Sequence, residues 1–167
     1  MIRLSKRLLY SIEAVLDIAC HEGSAPVRSV DITRREGIPA RYLEPVLQEL
    51  VRDNILIGIR GPAGGYRLAR PAEEISVADI VRIVQRTEVG EDPMADPAES
   101  VLALEVVRPL WTELRDDVMR RLEATSIAQL RRKGLRVLRA VSNQPQPTVA
   151  PNRRGSIRAR PATRRGA

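Results

Sequence analysis

Side-chain chemistry needs partners, and this chain supplies few of them. It holds one histidine, His21, and one cysteine, Cys20, in 167 residues. No nucleophile–base–acid constellation appears, so an enzyme is not expected. A single cysteine also removes any intrachain disulfide and any all-cysteine zinc or iron–sulfur site within one chain. Cys20 follows Leu16 by four residues on an apolar stripe. It reads as a small core residue or as a redox-active thiol, and no cation placed beside it argues for the second. His21 lies at a helix end without a second ligand nearby and reads as a surface residue. Carboxylates gather at Glu88, Glu91, Asp92, Asp96, Glu99 and Glu105, with no basic residue between Arg86 and Arg108. They could hold a hard cation or form a solvated acidic loop; without EF-hand spacing the loop is the better reading, and no metal is assigned.

The remaining chemistry is that of charge. Arg60 opens the run Arg60-Gly61-Pro62-Ala63-Gly64-Gly65-Tyr66, between apolar residues 55–59 and 66–69. Three glycines and a proline in five residues supply the positive and fixed φ angles of a tight turn. The flanks are rich in Ile, Leu and Tyr, as short strands are. The run therefore reads as a hairpin whose bare tip carries a guanidinium of the right size and charge to enter a DNA minor groove. An ordinary hairpin could look the same, so the neighbouring elements decide.

Residues 5–21 place Leu8, Ile12, Val15, Leu16, Ala19 and Cys20 on one helical face. Residues 29–36 form a short capped helix stopped by Gly37, and Ile38-Pro39 turns the chain. A third helix over 40–53 turns Leu43, Val46, Leu47 and Leu50 inward and Arg41, Glu44, Gln48 and Arg52 outward. Short helix, glycine turn, longer helix is the helix-turn-helix pattern, whose second helix enters the major groove. Followed by the hairpin, the order is that of a winged helix. Pro45 conflicts with it locally: the helix must start later than Ala40 or kink there. A fourth helix begins at a capping box of Ser76 and Asp79, with Val77, Ile80, Val81 and Val84 as its stripe. The expected fold is mainly α with a small two-stranded β wing, residues 1–86 being a winged helix-turn-helix DNA-binding domain.

Residues 87–99 are the acidic loop, and 98–141 hold a long helix and a C-terminal one. The long helix, over 98–123, is interrupted near Pro109 and repeats Leu110, Trp111, Leu114, Val118 and Leu122 at helical spacing. Appended to so small a domain it finds little to pack on, so a second copy is expected to cover that stripe. Burial within the chain is the alternative. Ser126 and Gln129 resemble another capping box, starting a shorter helix to about Val141.

Residues 142–167 are expected to be disordered: from 143 onward they hold six arginines, no acid and repeated prolines. Six of the seven net positive charges thus sit in this tail, so the basic character of the whole chain does not by itself indicate a basic DNA-binding domain. The tail could add phosphate attraction or simply solubilise the protein. Aromatic residues make up 2% of the chain, with no Phe, so the core must be aliphatic. No apolar run is long enough to span a bilayer, and Glu13 and Asp17 interrupt the N-terminal segment; a cytoplasmic protein without a membrane partner is expected.

Several residues carry a resemblance. Arg3-Leu4-Ser5, Tyr10, Leu16-Asp17, Gly37-Ile38, Tyr42-Leu43-Glu44 and above all Arg60-Gly61-Pro62-x-Gly64-Gly65-Tyr66-x-Leu68, followed by Ile75-Ser76-x-x-Asp79, resemble the Rrf-two family of winged-helix regulators. Leu110-Trp111 and residues 126–130 fit the family's closing helices, so the likeness covers roughly residues 1–135. It implies a homodimeric regulator of transcription on a roughly palindromic double-stranded DNA operator, with the long helix as dimer interface. Carried over by position, Arg41 and Glu44 face bases in the major groove, with Gln48 further along that face and Tyr42 supporting the helix. Arg60 and Gly61 enter the minor groove, while Pro62, Gly64, Gly65 and Tyr66 shape and anchor the wing. Sensing members carry three cysteines in the segment corresponding to about 88–106, and this chain has none there. The expectation is a repressor without an iron–sulfur cluster or other cofactor. Its signal would be a small molecule or partner protein bound between the helix at 76–84 and the dimer helix, or oxidation of Cys20. The competing reading is a protein-interaction module whose winged helix and basic tail dock an acidic partner.

Overall fold

The computed structural model describes residues 5–23, 25–87 and 100–142. The expected acidic loop, with Glu88, Glu91, Asp92, Asp96 and Glu99, and all of the expected disordered tail beyond Ser142 lie outside the described residues.

Helix α1, Lys6–His21, starts where the Ser5 hydroxyl accepts the Leu8 N–H at 3.1 Å. Its Leu8, Ala14, Val15, Ile18 and Ala19 are buried, making it the central helix of the core. Cys20 is only half-buried, off the fully buried stripe on which its spacing had placed it, and its Sγ faces α6. Helix α2, Ser29–Glu36, ends at Gly37, whose φ of 67° favours glycine. Its N-cap is Arg28, with no side chain accepting there, so the cap expected of this helix is missing. Helix α3, Ala40–Arg52, begins at Ala40 and runs through Pro45. Pro45 denies the Arg41 carbonyl its usual donor four residues on; both residues are exposed, which leaves that acceptor open to solvent.

Two ion pairs fasten these helices together. Arg35 of α2 forks onto buried Asp17 of α1 at 2.7 and 2.6 Å, and Arg7 of α1 reaches Glu49 of α3 at 2.7 Å. Asn54, at φ 57°, turns the chain out of α3. Strand β1, Leu56–Ile59, then pairs antiparallel with β2, Gly65–Leu68, in the register Leu56 to Leu68 through Ile59 to Gly65. Val27 adds a bridge on the free edge of β2, exchanging both backbone bonds with Tyr66 at 2.8 and 2.9 Å.

Helix α4, Val77–Thr87, carries the expected capping box: the Ser76 hydroxyl accepts from Asp79 N–H at 3.1 Å, and Asp79 Oδ2 accepts from Ser76 N–H at 3.0 Å. A π-helical turn, Ala103–Val107, directly precedes α5, Arg108–Glu123, and places the interruption just before Pro109. The wider turn suits a proline that cannot donate to the preceding turn. Helix α6, Ile127–Ser142, folds back along α1, with Ile127 and Ala128 in the core. Backbone bonds from Val77 to Thr125, Ile127 to Ile75 and Ala128 to Ala72 tie its start to that of α4.

Helix α5 is the exception, because none of its residues is buried. Leu110, Trp111, Leu114 and Val118 are 44–52% exposed, while Leu122 packs with Met119 on the chain's own core. The expected stripe therefore divides, with four members outside and Leu122 turned inward. Leu104, Val106 and Val107 extend the exposed apolar surface back through the π turn.

Candidate nucleic-acid interface

The wing is built by close approach more than by unusual angles. Of its three glycines only Gly61, at φ 109°, needs a conformation that disfavours a side chain. Gly64 and Gly65 matter for space: a Cβ on Gly64 would lie 2.3 Å from the Ile59 carbonyl oxygen, and one on Gly65 would lie 2.5 Å from that of Val27. The Gly64 N–H closes a tight turn on the Gly61 carbonyl at 2.9 Å, with Pro62 at its second position. Gly65 keeps its backbone against Val27, so the wing is pinned to the segment that leads into α2. Tyr66 packs partly on the core, its ring beside Gly58. Burial, and secondarily the charge of Glu44, pushes the Tyr66 hydroxyl's pKa up, so it stays a neutral hydrogen-bonding group.

Arg60 is exposed on this anchored base, and among the described residues no carboxylate pairs with it. Beside it, α3 presents Arg41, Tyr42, Glu44 and Gln48, all exposed, while Leu43, Val46, Leu47 and Leu50 are buried beneath. A groove runs between the two, with Gln48 of α3 on one side, residues 58–62 and 64–66 of the wing on another, and Arg28 at the start of α2 closing it. Of the expected DNA-contacting residues, the groove gathers Gln48 with Arg60, Gly61, Pro62, Gly64, Gly65 and Tyr66. Arg41, Tyr42 and Glu44 lie outside the groove proper, further toward the N-terminal end of α3.

Sequence reasoning passed over Arg28 and gave Tyr10 no role beyond its part in the resemblance. Arg28 lines the groove, held by Asp31 at 2.9 Å; the arginine's hydrogen bond keeps the Asp31 carboxyl below its ordinary pKa and so ionised. Its spacing of three residues was a usable signal. Tyr10 of α1 lies 6.2 Å from Tyr42 between ring centroids, at 45°; 32 positions apart in sequence, the pair leaves no local trace.

The donor set does not fit an iron–sulfur cluster. Such clusters require several thiolates, and the one cysteine, Cys20, is wedged between helices with its Sγ 4.0 Å from the Arg131 carbonyl. Burial raises its thiol pKa, as do Asp17 and Glu36, against the opposing pull of Arg131. The thiol is therefore held in its protonated, less reactive form. Among the described residues no three His, Cys, Asp or Glu side chains gather as a metal site, and no helix is long and apolar enough to cross a membrane.

Comparison with known proteins agrees with this geometry. Residues 4–133 match the family Rrf2, described as iron-dependent transcriptional regulator. Protein rrf2 of Nitratidesulfovibrio vulgaris is 33% identical over 131 residues, 78% of this chain and 87% of that protein. The HTH-type transcriptional regulator IscR of Photorhabdus laumondii is 32% identical over 130 residues, 77% of this chain and 78% of its own length. Among solved structures, CymR, the global cysteine regulator of B. subtilis, superposes with a TM-score of 0.66 at 26% identity, covering 80% of this chain and 98% of that one. With residues 4–133 matched, most of this 167-residue protein, the chain belongs to the Rrf2 family of winged-helix, DNA-binding transcriptional regulators.

Proposed function

We propose that the protein is a homodimeric repressor that occupies a palindromic operator and does so without an iron–sulfur cluster. The observation that carries the reading is the pairing of an anchored wing, bearing exposed Arg60, with an α3 face bearing Arg41, Glu44 and Gln48. Arg60 and Gly61 enter the minor groove, where the narrow, negatively charged walls attract a guanidinium. Arg41 and Glu44 face base edges in the major groove, Glu44 accepting from a cytosine amino group. Two copies meet through Leu110, Trp111, Leu114 and Val118, which no part of the described chain covers. Leu122 joins that interface only at its edge, being partly used at home. A two-fold dimer then reads two inverted half-sites. The protein acts in the cytoplasm as a regulator and not as an enzyme, and represses by excluding polymerase from the occupied promoter. Its signal reaches α5 from the α4 side, where Arg82 pairs with Glu123; the raised pKa of Cys20 makes oxidation the weaker route.

The test is binding of the purified protein to DNA from upstream of its own gene and to a scrambled duplex of equal length at physiological salt, with the visible absorption spectrum recorded on the same sample. Selective binding by a colourless dimer is expected. Equal, steeply salt-dependent binding to both duplexes would overturn the regulator reading, and cluster absorption would overturn the cofactor-free one.

A further inference from the structure

We propose that Tyr10 is a positioning residue for DNA recognition, acting through Tyr42 to hold the Arg41 guanidinium in its reading orientation. The proposal rests on the reading that α3 lies in the major groove. Arg41 is the second residue of α3 and exposed. An exposed arginine samples many rotamers, and fixing them on binding opposes affinity. Here the guanidinium carbon lies 4.8 Å from the centroid of the Tyr42 ring, within cation–π range. That contact is not a by-product of helix geometry, because adjacent residues project about 100° apart and do not face each other. The Arg41 side chain has to bend back over the ring.

Tyr42 is itself 49% exposed and needs a support of its own. Tyr10 supplies it: half-buried on α1 and packed against the core, it meets Tyr42 in a tilted ring contact at 6.2 Å. The order is therefore core, Tyr10, Tyr42, Arg41, the first ring half-buried and the last two residues exposed. A cation–π contact spends no hydrogen-bond donor of the guanidinium, so its N–H groups stay available to a guanine edge or a phosphate. Among the described residues no carboxylate competes for Arg41.

The experiment uses full-length protein and the duplex sequence that the wild type enriches from a randomised library, with affinity read by fluorescence anisotropy. Thermal melts of every variant confirm folding. Tyr10→Leu and Tyr42→Leu are each expected to weaken binding about two- to fivefold, whereas Tyr10→Phe and Tyr42→Phe, which keep the rings, remain at wild-type affinity. The deciding comparison is the Arg41→Ala background, in which Tyr10→Leu is expected to cost nothing further. An equal loss with and without Arg41 would assign Tyr10 a merely structural role and overturn the proposal. An Arg41→Ala protein with wild-type affinity and selectivity would overturn it as well. A library from which the wild type enriches no sequence would instead overturn the operator reading beneath it.

Discussion

Helices α3 and α5 carry the same kind of sequence pattern and end in opposite circumstances. Both repeat apolar residues at three and four positions, yet α3 buries Leu43, Val46, Leu47 and Leu50 while α5 buries nothing. Periodicity states that a helix has an apolar face; what covers that face depends on which elements the chain brings to it. Around α3 stand α1, α2 and the hairpin, fastened by the Arg7–Glu49 and Asp17–Arg35 pairs. Around α5, among the described residues, only the C-terminal end finds a partner, where Met119 and Leu122 meet the core.

The contrast is broken most directly by truncating one residue from each helix. Leu47→Ala removes a fully buried side chain and is expected to cost about 2–5 kcal/mol in denaturant unfolding at any protein concentration. Leu114→Ala, from a residue already half outside, is expected to cost under about 1 kcal/mol of protomer stability but to raise the dimer dissociation constant in sedimentation. A large, concentration-independent loss from Leu114→Ala would mean that α5 belongs to the protomer core. Asp17→Asn leaves Arg35 without its partner and is expected to destabilise by about 3 kcal/mol, at the lower end of the range for broken buried pairs because Arg35 is a third exposed. A loss below about 1 kcal/mol would show that the pair does not fasten α2 to α1.

Smaller effects sharpen the same comparison. Gly65→Ala forces the wing away from the Val27 backbone and is expected to lower the melting temperature and to weaken operator binding about tenfold, the order of one lost bidentate base contact. Unchanged affinity would free the wing of that constraint. Glu36 gives the pH dependence. Partial desolvation at the end of α2, and then the charge of Asp17, raises its folded pKa above the ordinary 4.5, so the folded state holds the proton more tightly than the unfolded one. Its contribution is full below pH 4.5 and falls as the pH rises through the raised value. Glu36→Gln is therefore expected to be slightly more stable than wild type at neutral pH, with the gap closing in acid.

What was legible in the sequence was local. Gly37, the Ser76–Asp79 box and the glycine-rich turn each act within a few residues, and each appears where its spacing puts it. The α3 face was legible for the same reason, although the sequence left Pro45 as a late start or a kink, and the helix starts at Ala40 with Pro45 inside it. The remaining features needed distance: Val27 beside Tyr66, Arg35 on Asp17, Tyr10 under Tyr42, and Leu122 turned home by α4. Even the wing's glycines were assigned by a local rule, positive φ, when Gly64 answers to the close backbone of its own hairpin and Gly65 to the Val27 backbone arriving from elsewhere.

Enrichment of duplexes from a randomised library by the full-length protein tests the central claim most directly. A dimer joined through α5 and reading with α3 and the wing predicts two inverted half-sites whose centres are about one helical turn apart. A single unrepeated half-site, or no enrichment at all, would contradict it.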